Sequence, residues 1–269
     1  MTLAARIGPL LPDPLVGRLA QLLYPRVEPE LARLDGYLPR RCRTAVDIGG
    51  WYGPWSRRLA ARSREVVAIE PVPHLARTLE RITPANVRVV QAAASDRPGT
   101  RRLWFPAGDT GARGLSSLVP RDLHTHGVDV RCLTVDELGL REVDFIKIDV
   151  DGSELAALRG AAKTLERDQP ALLLEVEARI QPTAPILDLL TDHGYRGWVL
   201  PERVWLPLDD FDLETHQAAT AHVTSAGLLR RTLPFAGPRY VNSVLFLPTG
   251  RHPSPVRITT ASPRRIAEP

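Results

Sequence analysis

At 269 residues, with 43% hydrophobic and 25% charged side chains, the chain is long enough for one large α/β domain with appendages and has an ordinary globular composition. Its two cysteines, Cys42 and Cys132, exclude a disulfide framework and a cysteine metal cluster and are expected to be reduced thiols in the cytoplasm. The net charge of +4 comes from scattered arginines with no basic run or aromatic interleaving, which argues against a nucleic-acid partner; lysine occurs only at 147 and 163.

Residues 1–42 read as an N-terminal helical appendage, with Leu15, Leu19, Leu22 and Leu23 at helical spacing and a short helix from Glu30 to Tyr37. Pro9, Pro12 and Pro14 interrupt its apolar stretch, so neither a secretory signal nor a membrane span is expected. The appendage would cover a ligand cleft, pair two copies as a homodimer, or simply pack on the domain. From residue 43 to 250 apolar runs and helical patterns alternate, the sign of a parallel sheet with right-handed crossovers. Strands are expected at 44–48, 65–69, 87–92, 143–149, 171–176, 194–199 and 241–247, and helices at 54–62, 73–82, 153–167 and 184–192. Two insertions break the alternation. Residues 99–133 carry a β excursion at 101–105 and the loop GDTGARGLSSLVP, long enough to be functional, and residues 201–240 precede the last strand. Residues 251–269 read as a flexible tail.

The first strand runs into TAVDIGGWYG, in which Gly49, Gly50 and Gly53 allow a tight turn and close approach of a ligand to the backbone. Glu70 ends the second strand about 20 residues on, where nucleotide-binding units place a carboxylate on ribose hydroxyls. Asp47 before the turn disfavours a phosphate, and the spacing D-x-G-x-x-x-G departs from the dinucleotide pattern; an adenosine ligand carrying an ammonium, S-adenosylmethionine, suits it better than a nicotinamide cofactor. Further on, DFIKIDVDGSELAALRG sets Asp149 at the C-terminal end of a buried strand, where open α/β sheets bind ligands. Asp151 and Glu154 crowd the same end, and Ser153 with Glu154 reads as a helix start. The seven histidines show no metal-ligand spacing; His124 or His126 would serve as a base only if the long loop folds over the cleft.

KIDVDGSELAALRGA, followed by QPALLLEVE, resembles the FkbM-like S-adenosylmethionine-dependent methyltransferases, whose signature runs K-I-D-[VI]-[ED]-G-x-E, L-x-G-A and P-x-[LI]-x-x-E. VDIGGWYG, AIEPVPHLARTLE, VRCLTVDEL and YVNSVLFLP match further family segments in order; Gly50 and Trp51 depart from the Ala-Asn that often follows the first glycine. The resemblance implies a class I methyltransferase fold, a Rossmann-like, doubly wound seven-stranded sheet. It implies that Asp47, Gly49, Gly50 and Gly53 hold the methionine part of the cofactor and Glu70 the ribose. The segment from Ala92 to Asp96, including Ala93, would hold the adenine, with Asp96 or Ser95 on its amine. Asp149 and Glu175, at the ends of neighbouring strands, would share one edge of the pocket. As in catechol and macrolide-sugar O-methyltransferases, Asp149, Glu175 and Asp151 or Glu177 would hold a Mg²⁺ that activates the acceptor. In the competing reading Asp149 contacts the cofactor or acts as the base and Glu175 orients the substrate. The implied reaction is methylation of a hydroxyl of a sugar, glycan or glycoside; a polyketide natural product, an RNA acceptor or dehydrogenase chemistry are the alternatives.

Overall fold

Apolar strands of four to seven residues, punctuated by glycine turns, build the sheet that positions everything else. The computed structural model describes residues 13–111, 114–226 and 239–255. Parts of the expected appendage, of both insertions and of the tail lie outside these residues. Helices α1 (Asp13–Val27) and α2 (Pro29–Ala32) and a 3-10 turn (Leu34–Gly36) precede strand β1 (Cys42–Ile48). The chain continues through α3 (Pro54–Ala60), β2 (Ser63–Ile69), α4 (Pro73–Ile82), β3 (Val87–Val90), β4 (Ala93–Ala94), β5 (Gly99–Pro106) and β6 (His124–Leu133). Then come β7 (Val143–Ile148), α5 (Glu154–Arg159), α6 (Ala162–Asp168), β8 (Ala171–Glu175), α7 (Ala184–Asp192), β9 (Tyr195–Val199), β10 (Leu206–Pro207), α8 (Leu213–Thr220) and β11 (Ser243–Pro248).

The main sheet has the order β10-β9-β11-β8-β7-β1-β2-β3, with β11 antiparallel to β8 and β9. The seven expected strands are its body. The eighth, β10, is a two-residue strand paired antiparallel to the edge of β9, too short to give a periodic signal. Alternation along the strands separates two buried layers. Val46, Ile48, Ile146 and Ile148 face Ala157, Leu165 and Ile186 on one side, whereas Ala45 and Phe145 face Trp55, Leu34 and Trp205 on the other. Lys147 alternates with Ile146 and Ile148 and therefore falls on the Trp55 side; it stands opposite Asp47 in the β1–β7 register.

Two local features differ from the sequence expectation. The excursion at 101–105 is one half of a ribbon, since β6 pairs antiparallel with β5 and parallel with β4. The outer positions of β6 are solvent-exposed, so polar residues interrupt its strand pattern. The helix expected at 153–167 is broken at Gly160. Here the chain passes so close to the end of β4 that a Cβ on Gly160 would lie 2.0 Å from the Ser95 carbonyl oxygen. The second half restarts on a borrowed cap: Asp136, within the LTVDEL segment, accepts the Lys163 and Thr164 backbone N–H groups at 3.0 Å each. Gly160→Ala should therefore destabilise the protein by about 1–3 kcal/mol despite the better helix propensity of alanine, because backbone must move to relieve the clash. Chemical denaturation of the two proteins checks this, and an equal or raised midpoint would contradict it.

The start of the expected flexible tail is held against the domain. The Ser254 N–H bonds the Gly36 carbonyl at 2.8 Å, and the Trp205 N–H bonds the Pro255 carbonyl at 3.0 Å. Among the described residues no helix is long and apolar enough to cross a membrane.

Candidate active site

Because β1, β2, β7 and β8 run parallel, their C-terminal ends open on one side of the sheet, and a cavity of about 330 Å³ lies there. One wall is the turn after β1. Gly49 has φ +81° and a Cβ on it would stand 2.0 Å from the Asp149 carbonyl oxygen, so only glycine lets this turn pass the end of β7. Trp51 also adopts a left-handed conformation (φ 47°), and its backbone N–H is held at 2.9 Å by Glu70. The other Glu70 oxygen accepts the Val72 N–H at 2.9 Å, so one buried carboxylate ties the glycine turn to the end of β2. Burial raises Glu70 to about 7 in spite of these two bonds.

Gly49, Gly50, Glu70, Ala93, Asp149, Asp151 and Glu175 all line this cavity. Asp47, Gly53 and Asp96 do not. Asp47 is fully buried one layer behind, accepting the Ser56 hydroxyl at 2.5 Å and facing Lys147 at 3.9 Å. Gly53 starts α3 with φ +74°. Asp96 is solvent-exposed and accepts a bond from the Ser95 hydroxyl, away from the cavity. Of the three aromatic residues around the turn, Trp51 and Trp55 line the cavity, whereas Tyr52 packs in the layer with Val72 and Phe105.

The charge arrangement at the β7 and β8 ends depends on a residue absent from the sequence reading. Lys147 is 6% exposed, and its ammonium lies 3.0 Å from Asp149 and donates to the Gly49 carbonyl at 3.3 Å. Burial alone would lower Lys147; the charges of Asp149 and Asp47 outweigh it and hold the ammonium above its ordinary value. Burial likewise opposes ionisation of Asp149, yet Lys147 and the hydrogen bond shared with Glu175 keep it below the usual carboxylate range. Glu175 moves the other way, pushed well up by burial and then by the Asp149 charge. The two carboxyls share a hydrogen bond, and ionisation of either one opposes that of the other. Asn242, from the YVNSVLF segment, donates to Glu175 and, at 3.1 Å, to Glu177, which also pairs with Arg179.

This donor set does not fit the expected Mg²⁺ site. A Mg²⁺ ion requires ionised carboxylates that face it. Asp149 already has the Lys147 ammonium against it, Glu175 takes the Asn242 amide, and Asp151 lies 3.5 Å from Arg121. Among the described residues no group of three His, Cys, Asp or Glu side chains is placed to hold a metal. Three acids near strand ends read as ligands in sequence only while the intervening lysine is treated as a strand residue.

The long insertion folds over the cavity: Gly111, Gly114, Leu115, Ser116, Ser117 and Leu118 line it, and the Ser117 hydroxyl donates to the Asp151 carbonyl at 2.6 Å. Asp151 is left-handed (φ 50°) at this contact and burial raises it to about 7. Neither His124 nor His126 reaches the cavity lining; the His124 ring instead bonds Leu115 O and Arg121 N at 3.1 Å each and fixes the loop. Two further lining residues come from outside every motif read in the sequence, Tyr24 and Glu28 of the N-terminal appendage.

Among solved structures, an FkbM methyltransferase from Methylobacillus flagellatus KT is 18% identical over 77% of this chain and 43% of its own, with a TM-score of 0.46. A precorrin-6y C5,15-methyltransferase from Geobacter metallireducens is 15% identical over 62% and 70% (TM-score 0.39), and a precorrin-8w decarboxylase from Methanobacterium thermoautotrophicum is 15% identical over 80% and 86% (TM-score 0.41). The chain thus spans less than half the length of the FkbM structure that it matches. No curated protein matches it. Residues 42–196 match the methyltransferase FkbM domain, and the chain belongs to that family of S-adenosylmethionine-dependent methyltransferases.

Proposed function

We propose that the protein transfers a methyl group to a hydroxyl oxygen of a sugar, glycan or glycoside without a metal ion. The observation that carries this reading is the buried, hydrogen-bonded Asp149–Glu175 pair on the cavity wall, with the Lys147 ammonium 3.0 Å from Asp149. The wall beside it is polar, with Glu177, Arg179, Tyr240 and Asn242, and suits an acceptor bearing several hydroxyls.

S-adenosylmethionine, when bound, supplies an electrophilic methyl carbon on a sulfonium sulfur. The residues that would hold it are Gly49, Gly50 and Trp51 of the turn, Glu70 for the ribose hydroxyls, and Ala93 with Ala94 for the adenine. Glu70 has a spare lone pair on each oxygen for this, since each accepts one backbone N–H. Asp149 is the ionised carboxylate, so it accepts the hydrogen of the acceptor hydroxyl and takes the proton that the oxygen must lose. A weak base in contact suffices, because an oxygen becomes strongly acidic as it is alkylated. Lys147 fixes the orientation of Asp149, and burial with the Asp149 charge opposes ionisation of the hydrogen-bonded Glu175, so a second charge on the pair is disfavoured. The loop closed through Ser117 and Asp151 keeps water out.

The test is turnover of S-adenosylmethionine with methyl glycosides of the common hexoses, followed as S-adenosylhomocysteine released, with the product mapped as a methyl ether by NMR. Asp149→Asn should lower turnover about 100-fold or more while leaving S-adenosylhomocysteine affinity within a few-fold. Turnover with amine or carbon acceptors and no hydroxyl acceptor would overturn the reading. Activity should also survive EDTA and gain nothing from added Mg²⁺; loss on chelation with recovery on Mg²⁺ would overturn the metal-free part.

A further inference from the structure

Helix α1 lies outside the segment that matches the family, yet it is fastened along the cofactor turn at successive helical steps. Gln21 donates to the Tyr52 carbonyl at 3.0 Å, Tyr24 meets the Trp51 ring at 5.7 Å between centroids, and Glu28, just beyond the helix, accepts the Trp55 indole N–H at 2.6 Å. These contacts bring the Tyr24 hydroxyl and the Glu28 carboxyl together at the cavity, on the side facing Asp149 and Glu175.

A carboxylate is an expensive way to satisfy two neutral donors, the Trp55 indole N–H and the Tyr24 hydroxyl. The same fold leaves two other buried indole N–H groups, those of Trp198 and Trp205, without a hydrogen-bond partner among the described residues. Burial opposes ionisation of an acid at this position most of all, and the charges of Asp149 and Glu30 oppose it further, against the attraction of Lys147. A neutral acceptor would serve Trp55 and Tyr24 equally well, so these two bonds do not by themselves call for a carboxylate. We propose that Tyr24 and Glu28 form a second hydroxyl-binding subsite, through which the N-terminal helix selects acceptors carrying another hydroxyl besides the one that is methylated. This rests on the hydroxyl-acceptor reading above. Glu28 keeps acceptor lone pairs beyond those used by Trp55 and Tyr24, and the Tyr24 oxygen, whose hydrogen goes to Glu28, accepts in turn, so the pair suits the hydrogen of a neutral sugar hydroxyl. Burial moves Glu28 up to about 7, as fits a carboxyl that meets its ligand in a closed cavity.

The experiment measures affinities of methyl hexosides and their monodeoxy analogues for the full chain loaded with S-adenosylhomocysteine. It compares the wild type with Glu28→Gln, whose amide oxygen still accepts from Trp55, and with Tyr24→Phe, which keeps the ring contact to Trp51. The wild type should bind one monodeoxy analogue about tenfold more weakly than its parent hexoside. In Glu28→Gln the parent should weaken by a similar factor and the deoxy penalty should vanish, with a smaller parallel effect in Tyr24→Phe and unchanged affinity for S-adenosylhomocysteine. A purely structural Glu28 would leave the deoxy penalty intact. Wild type that binds hexosides while the variants keep its full deoxy penalty overturns this inference alone. Wild type that binds no hexoside overturns the sugar reading and this inference together.

Discussion

Exchanging Lys147 for methionine is expected to destabilise the protein by about 3–5 kcal/mol and to abolish turnover. The ammonium stands 3.0 Å from Asp149 and 3.9 Å from Asp47 inside the sheet, and methionine would fill its volume while leaving both carboxylates without a counter-charge. That is a large part of ordinary protein stability, and for a chain of this length it corresponds to a fall in melting temperature of roughly 6–20 °C. The pH dependence separates a lost charge from lost packing. Without Lys147, Asp47 and Asp149 become harder to ionise in the fold than in the unfolded chain, so the penalty should be largest at pH 8 and shrink towards pH 5 as they regain protons. In the wild type Asp149 titrates below this range and Lys147 above it, while burial already raises Asp47, so the diagnostic is the change in slope between variant and wild type. Adding Asp149→Asn to Lys147→Met should recover part of the lost stability, since the second change removes one of the stranded charges. Strictly additive losses in the double variant, or a penalty independent of pH, would show that Lys147 acts as a spacer and not as a charge.

Much of this site could be read from the chain, and the parts that could not have a common cause. Gly49, Gly50, Glu70, Asp149 and Glu175 announce themselves locally, because a strand that runs into a glycine turn or ends on an acid puts that residue at the sheet edge whatever its neighbours are. Lys147 carries no such signal. Its nearer partner, Asp149, is two residues on, but its burial beside Asp47, a hundred residues earlier, arises only because β1 pairs with β7 in a register that places the two opposite each other. The Mg²⁺ expectation failed for the same reason, since the acids were visible and the cation between them was not. Asp96 reads like a polar hand for the adenine at the end of a strand, but the chain turns outward there into the β5–β6 ribbon and takes the side chain to solvent. Asp136, inside a segment that matches the family, is a cap on α6. Tyr24 and Glu28 lie in an appendage whose role no local pattern specifies, and only its docking along residues 51–55 gives them one.

The ligand-free protein is expected to lose stability as pH rises from 5.5 through about 7 and to level off towards pH 8. Glu28, Glu70, Asp151 and Glu154 lie at or beside the cavity, and burial pushes each of them up to about 7 from ordinary values of 4.5 for glutamate and 3.8 for aspartate. Over that interval the folded chain holds protons that the unfolded chain has released. Their contribution is therefore fully present below the unfolded values and is lost as pH rises through about 7. Carboxylates held low in the fold, such as Asp149 and Asp168, have the opposite sign but titrate below this window. A rise from 4.5 to about 7 for Glu70 alone corresponds to a loss on the order of 3 kcal/mol. The four share one cavity and do not add, so a total of several kcal/mol, or roughly 10 °C in melting temperature, is the expected size. Calorimetry at pH 5.5, 6.5, 7.5 and 8 measures it. Glu28→Gln removes one of the four titrations while keeping an acceptor for the Trp55 N–H at 2.6 Å, and should flatten the profile by that share. A wild-type protein that melts at the same temperature or later at pH 8 than at pH 5.5 would mean that these acids are already ionised in the fold, and that the cavity is wetter than its lining implies.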